Sequence, residues 1–168
     1  MAEEFIAIDF ETRDDGTPWQ LGAARFEGGS LVETRDWRFG SETNPADRSV
    51  RSPWLTEEII EYLQGKVLVA HNIACEKTLL TKAAPITKWG PWEDTLKIAK
   101  KRYPGLKSYA LSDLCQVFGI DLGSLEFLGS LGMESTGGLK STPAIEGRTW
   151  HDGLYDAIAC ALLYMRIR

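Results

Sequence analysis

Phe5-Ile6-Ala7-Ile8-Asp9-Phe10-Glu11-Thr12 opens as a β-strand, with β-branched and aromatic residues in succession and no Gly or Pro. Residues two apart in a strand point to the same side. Ala7, Asp9 and Glu11 therefore share one face, and Ile6, Ile8 and Phe10 share the other. Two neighbouring carboxylates on a strand that reads as central are costly unless a positive charge sits between them. A divalent cation supplies that charge, because hard cations prefer carboxylate oxygens, and the small Ala7 leaves room beside it. A solvated strand end carrying two acids would show the same letters, so the remainder of the chain must decide.

The 168 residues suffice for one domain, spanning 1–168, with a sizeable core. A hydrophobic content of 43% and a charged content of 26% place the chain among soluble globular proteins. The formal net charge of −5 argues against holding nucleic acid by bulk charge, yet two bound divalent ions would bring it to −1. The three cysteines, Cys75, Cys115 and Cys160, form no Cys-x-x-Cys pair. That excludes a disulfide framework or zinc spacing and predicts a reducing, cytoplasmic setting. The start, Met-Ala-Glu-Glu-Phe, is acidic where a signal peptide would be basic. No apolar run approaches membrane-spanning length, so no membrane partner is expected.

Trp19–Glu27 reads as a second strand and Gly28-Gly29 as a tight turn into a third, Leu31–Phe39. Charges on both faces of that third strand predict an edge. Gly40–Arg51 reads as a loop. Ser52-Pro53 reads as a helix start, with Gly65 as the stop. Lys66–Ala70 is a short apolar strand. Asn72 is placed to cap a helix over Ile73–Ala83, on which Ile73, Glu76, Leu80 and Ala83 share one face, so Glu76 lies on the apolar stripe. Ile86–Trp89 reads as a short strand and Trp92–Arg102 as a helix. Ser108 reads as the cap of another helix, with Leu111, Leu114 and Phe118 inward and Gly119 as its stop. Leu122–Thr149 is Gly/Ser/Thr-rich and reads as a loop near the site, with a short ordered piece at Leu125–Leu131. The last helix runs from about Asp152 to Arg166. Its run Ala157–Met165 is wholly apolar, which predicts burial nearly all round. Asp156 adjoins that run, and a carboxylate there needs a strong partner. His151 lies five residues earlier, about 140° away on a regular helix. The two converge only if His151 sits before the helix or in its first turn, with Thr149 or Asp152 as the cap.

Three stretches now stand in order: Asp9-Phe10-Glu11-Thr12; Val69-Ala70-His71-Asn72 with Glu76 five residues after His71; and His151 five before Asp156. This order resembles the DnaQ-like, or DEDDh, 3′–5′ exonucleases over essentially the whole chain. Ser108–Ile120 also looks like the family's helix between its second and third motifs. The chain has only two histidines, and both fall at motif positions. There are two departures. Cys75-Glu76 stands where the family usually has an aromatic residue followed by Asp, and the extra methylene extends the carboxylate's reach by about 1.5 Å, which bears on metal affinity and preference. The loop before His151 is also longer and more Gly-rich.

The resemblance implies a ribonuclease-H-like α/β fold: a mixed five-stranded sheet of three antiparallel strands plus parallel strands, flanked by helices. It implies a metal-dependent 3′–5′ exonuclease acting on single-stranded 3′ ends, DNA favoured over RNA, with two Mg²⁺ or Mn²⁺ ions per site. Asp9, Glu11 and Asp156 would bind the ion that activates water. Asp9 would bridge to the second, beside the leaving 3′-oxygen, and Glu76 would orient the ions through water. His151 would be the general base. Phe10, Thr12, His71 and Asn72 become candidates for nucleotide contact. Lys97, Lys100, Lys101 and Lys107 are candidates for tracking phosphates, although a solvated helix face explains the same charges. A protein partner, such as a polymerase or another end-processing complex, is also expected. The competing class is a nuclease-like binding or accessory subunit of weakened catalysis, with Glu76 as its trace. An endonuclease of the same fold would instead cut internally.

Overall fold

The computed structural model describes residues 4–40, 52–122 and 147–168. Three strands, β1 (Glu4–Thr12), β2 (Pro18–Glu27) and β3 (Ser30–Arg38), form an antiparallel meander. Two short strands, β4 (Leu68–Ala70) and β5 (Trp92–Asp94), add in parallel on the other side of β1. The sheet order is β3-β2-β1-β4-β5. This is the expected ribonuclease-H-like α/β sheet, with β1 hydrogen-bonded on both sides and the charged β3 at an edge.

The period-2 pattern of β1 divides the core. Ile6, Ile8 and Phe10 pack with Ile59 and Leu63 of α1 (Glu57–Leu63) and with Leu80 and Ala83 of α2 (Ala74–Ala83). On the opposite face Phe5 and Ala7 meet Ile158, Cys160 and Ala161 of a long helix, Gly153–Ile167. That helix, α5, is preceded by α3 (Thr95–Arg102) and α4 (Leu111–Val117), whose Ala99 and Leu114 cover its outer side at Leu163 and Ile167. Sheet on one side and helices on the other explain the unbroken apolar run: Ala157–Tyr164 is buried throughout.

Several boundaries differ from the sequence expectation, each for a local reason. The first helix is capped by Thr56, whose hydroxyl accepts from the Ile59 amide, rather than by Ser52. Gly65 does stop it, at φ +69°. Asn72 does not cap α2: it takes a left-handed φ of +66°, and its own amide donates to Asp94 Oδ1. Ile86–Trp89 forms no strand; Trp89 makes only an isolated bridge to Gln64. The strand is Trp92–Asp94, and the helix expected from Trp92 begins at Thr95 because Asp94 accepts from the Leu96 and Lys97 amides. Ser108 accepts from the Ala110 amide, and α4 starts one residue later. Most of the expected loops Gly40–Arg51 and Leu122–Thr149, including Leu125–Leu131, lie outside the described residues.

The start of α5 touches the sheet backbone directly. A Cβ on Gly22 would overlap the Gly153 carbonyl group and the Leu154 nitrogen. A Cβ on Gly153 would come 3.0 Å from Asp9 O and 3.1 Å from Gly22 N. The fully buried Gln20 side chain seals the junction by accepting from the Gly153 amide at 3.2 Å. Glycine at both positions is what this approach requires. Gly22→Ala is therefore expected to lower stability by about 3 kcal/mol or more in urea unfolding. A loss within about 0.5 kcal/mol would show that α5 does not depend on this contact.

Candidate active site

Asp9 and Glu11 project from the α5 face of β1, opposite Gly22 and Gln20 of β2. Their other neighbours arrive from separate elements. β4 pairs with β1 only at Ile6 and Ala7, so the far end of β1 is left open on that side. α2 fills the space with Glu76, which is 4% exposed and has the Phe10 amide beside its carboxylate. Asp156 comes from the first turn of α5. The helix is capped by Asp152, whose Oδ1 accepts from the Leu154 and Tyr155 amides. His151 thus lies just before the helix, where the two motif residues can converge. It holds a left-handed φ of +69°, and its amide donates to Asp156 Oδ2 at 3.1 Å. One ligand atom each from Glu11, His151 and Asp156 lie within 4.8 Å of one another.

The electrostatics are those of crowded acids. Burial raises the Asp9 carboxyl well above the ordinary range, and Glu76, Asp156 and Glu11 add to the shift. Burial pushes Glu76 up to about 7 despite the Phe10 amide. Burial likewise pushes Asp156 up to about 6, with the His151 amide opposing and Glu11 reinforcing. Glu11 is raised by burial, and the His151 ring draws it back. The neighbouring Cys75 thiol is pushed up to about 11 by burial and then by Glu76, Asp9 and Glu11, which leaves it protonated and unreactive at neutral pH. Glu76 Oε2 and Asp156 Oδ1 are buried without a hydrogen-bond partner among the described residues. Glu11, Asp156 and the His151 imidazole make a donor set that suits a divalent cation, with Asp9 and Glu76 close enough to feel the same field.

The other expected site residues fall elsewhere. His71 is turned into the fold: Nε2 donates to Tyr109 O and Nδ1 accepts from the Thr95 hydroxyl, both at 2.9 Å. Burial holds its pKa below the usual value, in keeping with a neutral pin between β4, α3 and the approach to α4. The Phe10 ring packs edge-on to Trp54, so only its backbone faces the site's end of β1. Thr12 and Asn72 are exposed. Lys97, Lys100 and Lys101 lie on the exposed face of α3 with Lys107 beyond it; Lys97 reaches Asp94 and Lys100 lies over the Tyr109 ring. The sequence expectation omitted Gln20, Gly22 and Gly153. A glycine inside the Trp19–Glu27 strand pattern was the available signal, since it marks close backbone approach.

A solved structure, exonuclease X in complex with 5′-overhanging duplex DNA, aligns with 97% of this chain and 90% of its own at a TM-score of 0.60. This chain shares its fold. Identity is 20%, so the likeness carries architecture alone. No family model and no curated protein matches the sequence. Among the described residues no helix is long and apolar enough to cross a membrane.

The raised carboxyls make a stability prediction. A carboxyl whose folded pKa exceeds its unfolded pKa favours folding at low pH, and the advantage disappears as pH rises through the folded value. For Glu76 that window runs from about 4.5 to about 7, and the loss is on the order of 3 kcal/mol. The Tm of the metal-free protein should fall across this interval, and Mn²⁺ should restore it most above pH 7. A metal-free Tm that rises from pH 5 to 7, or Mn²⁺ that leaves Tm unchanged at pH 8, would contradict this electrostatic account.

Proposed function

We propose that this chain is a metal-dependent nuclease that shortens DNA from its 3′ end. The observation that carries the reading is the cluster of Glu11, His151 and Asp156, whose ligand atoms lie within 4.8 Å of one another, with Asp9 and Glu76 in electrostatic reach. The order of these residues matches the DEDDh pattern, and the fold likeness is to an exonuclease held with duplex DNA, which favours DNA over RNA. Asp9, Glu11, Glu76 and Asp156 would hold divalent cations, Mg²⁺ or Mn²⁺. Such ions lower the pKa of water and neutralise charge on phosphate oxygens when bound.

The chain's own groups then have distinct tasks. His151 is exposed and sits beside Glu11 and Asp156. It takes the proton from the attacking water as the water oxygen bonds to phosphorus and the P–O3′ bond breaks. The open end of β1, at Phe10–Thr12, supplies backbone to the terminal nucleotide. The exposed α3 lysines would offer the strand a basic track.

The test is a 5′-labelled single-stranded DNA incubated with Mg²⁺ or Mn²⁺, with and without EDTA. Progressive shortening that EDTA abolishes is expected. Binding without shortening would favour an accessory subunit, and cutting of a circular strand would favour an endonuclease. Asp9→Ala and Asp156→Ala should each reduce the rate about 1,000-fold or more with the fold retained, and full activity in either would remove the assignment. Glu76→Asp should retain or raise activity; a folded but inactive variant would show a site tuned around Glu. Charge reversal at Lys100 and Lys101 should raise KM, flatten the salt dependence and leave kcat within about 2-fold.

A further inference from the structure

A second polar cluster stands beside the acids and takes no part in the chemistry above. Arg148 Nη1 donates to both carboxylate oxygens of Asp152, at 2.7 and 2.8 Å, and its Nη2 donates to Asp36 Oδ2 at 2.7 Å. Asp36 Oδ1 accepts from Gln20 Nε2 at 2.8 Å, and Gln20 Oε1 in turn accepts from the Gly153 amide. Arg38 closes the ring with 3.3 Å bonds to Asp36 and Asp152. The three central side chains are only 17 to 21% exposed, so these bonds are partly shielded from water. Burial would raise Asp36 and Asp152, but the Arg148 and Gln20 bonds outweigh it and hold both below the ordinary carboxylate range.

The cluster brackets His151. Arg148 lies three residues before it and Asp152 one after, so the Arg148–Asp152 pair closes a short loop with His151 inside. Asp36 and Gln20 fasten that loop to β3 and β2. The left-handed backbone of His151 is costly for a residue with a Cβ and persists only when its surroundings hold it. We propose that Arg148 is a positioning residue for His151: its guanidinium, shared between Asp152 at the start of α5 and Asp36 on β3, fixes the turn that aims the imidazole at Glu11 and Asp156.

The kinetic part of this inference rests on His151 acting as the base; the geometric part does not. Amide hydrogen exchange followed by NMR reads the geometry. In Arg148→Gln the His151 amide, now donating to Asp156, should exchange about 10-fold faster or more, while the β1 amides remain unchanged and report an intact fold. Arg148→Lys, which keeps the charge but not the fork, should fall between. DNA hydrolysis reads the consequence. Arg148→Gln should lower kcat about 10-fold at unchanged KM, but less than about 2-fold in a His151→Ala background, because both changes remove the same function. Unchanged His151 exchange, or equal losses in both backgrounds, would overturn the proposal. Faster His151 exchange in Arg148→Gln, found together with a wild-type protein that hydrolyses no DNA, would sink the nuclease reading and leave the positioning role standing.

Discussion

Everything at the site depends on how closely α5 approaches the sheet. Gly22 and Gly153 bring helix backbone onto strand backbone with no side chain between them, beside Asp9 O. Had either carried a methyl group, the helix would be displaced outward. Asp156, one turn along α5, would then move away from Asp9 and Glu11. Gln20 converts the same contact into a directional one, because its amide oxygen meets the first helical amide and its nitrogen meets Asp36. Hydrophobic burial of Ala157–Tyr164 supplies the driving force for docking; the glycines and Gln20 set where the helix end rests.

That docking draws four carboxylates together, and among the described residues no Lys or Arg forms an ion pair with them. Arg148 and Arg38 are committed to Asp36 and Asp152, and Asp36 lies on β3 across Gly22 from Asp9. The result is a region of local frustration: Asp9, Glu76 and Asp156 all hold protons more tightly than free carboxyls, and two buried oxygens lack partners among the described residues. Proteins tolerate such clusters at functional sites, where a ligand of opposite charge removes the penalty. The charged network around Arg148 has the opposite character. It is internally balanced, and it holds a strained turn next to the unbalanced site.

Much of this was legible in the letters, for identifiable reasons. The alternation in Phe5–Thr12 placed Asp9 and Glu11 on one face because a strand has no other way to present them. Helical spacing put Glu76 on the buried stripe. The incompatible angle between His151 and Asp156 required His151 to lie before the helix or in its first turn, and it lies before it. The failures cluster at element ends. Ser52, Asn72 and Ser108 are all good capping residues, and none caps its helix: Thr56 caps the first, and the other two helices begin after Ile73 and Ala110 with no side-chain cap. The start of α3 was missed because Asp94 both ends a strand and caps the helix. Gln20 and the Arg148–Asp36 bond escaped notice because the groups they join are 16 to 133 residues apart in sequence. His71 shows the limit of motif reasoning: it stands at a motif position, yet both its ring nitrogens are spent inside the fold.

The central claim is that the acids of β1, α2 and α5 exist to share divalent cations. Crystals grown with Mn²⁺ and measured near the manganese absorption edge test it most directly, since anomalous scattering locates the ion without reference to any assumed role. The account predicts an anomalous peak bounded by carboxylate oxygens of Asp9, Glu11 and Asp156, with Glu76 and His151 close by. Full-occupancy Mn²⁺ elsewhere on the molecule with none among these side chains, or no bound Mn²⁺ at millimolar concentration and pH 8, would contradict it.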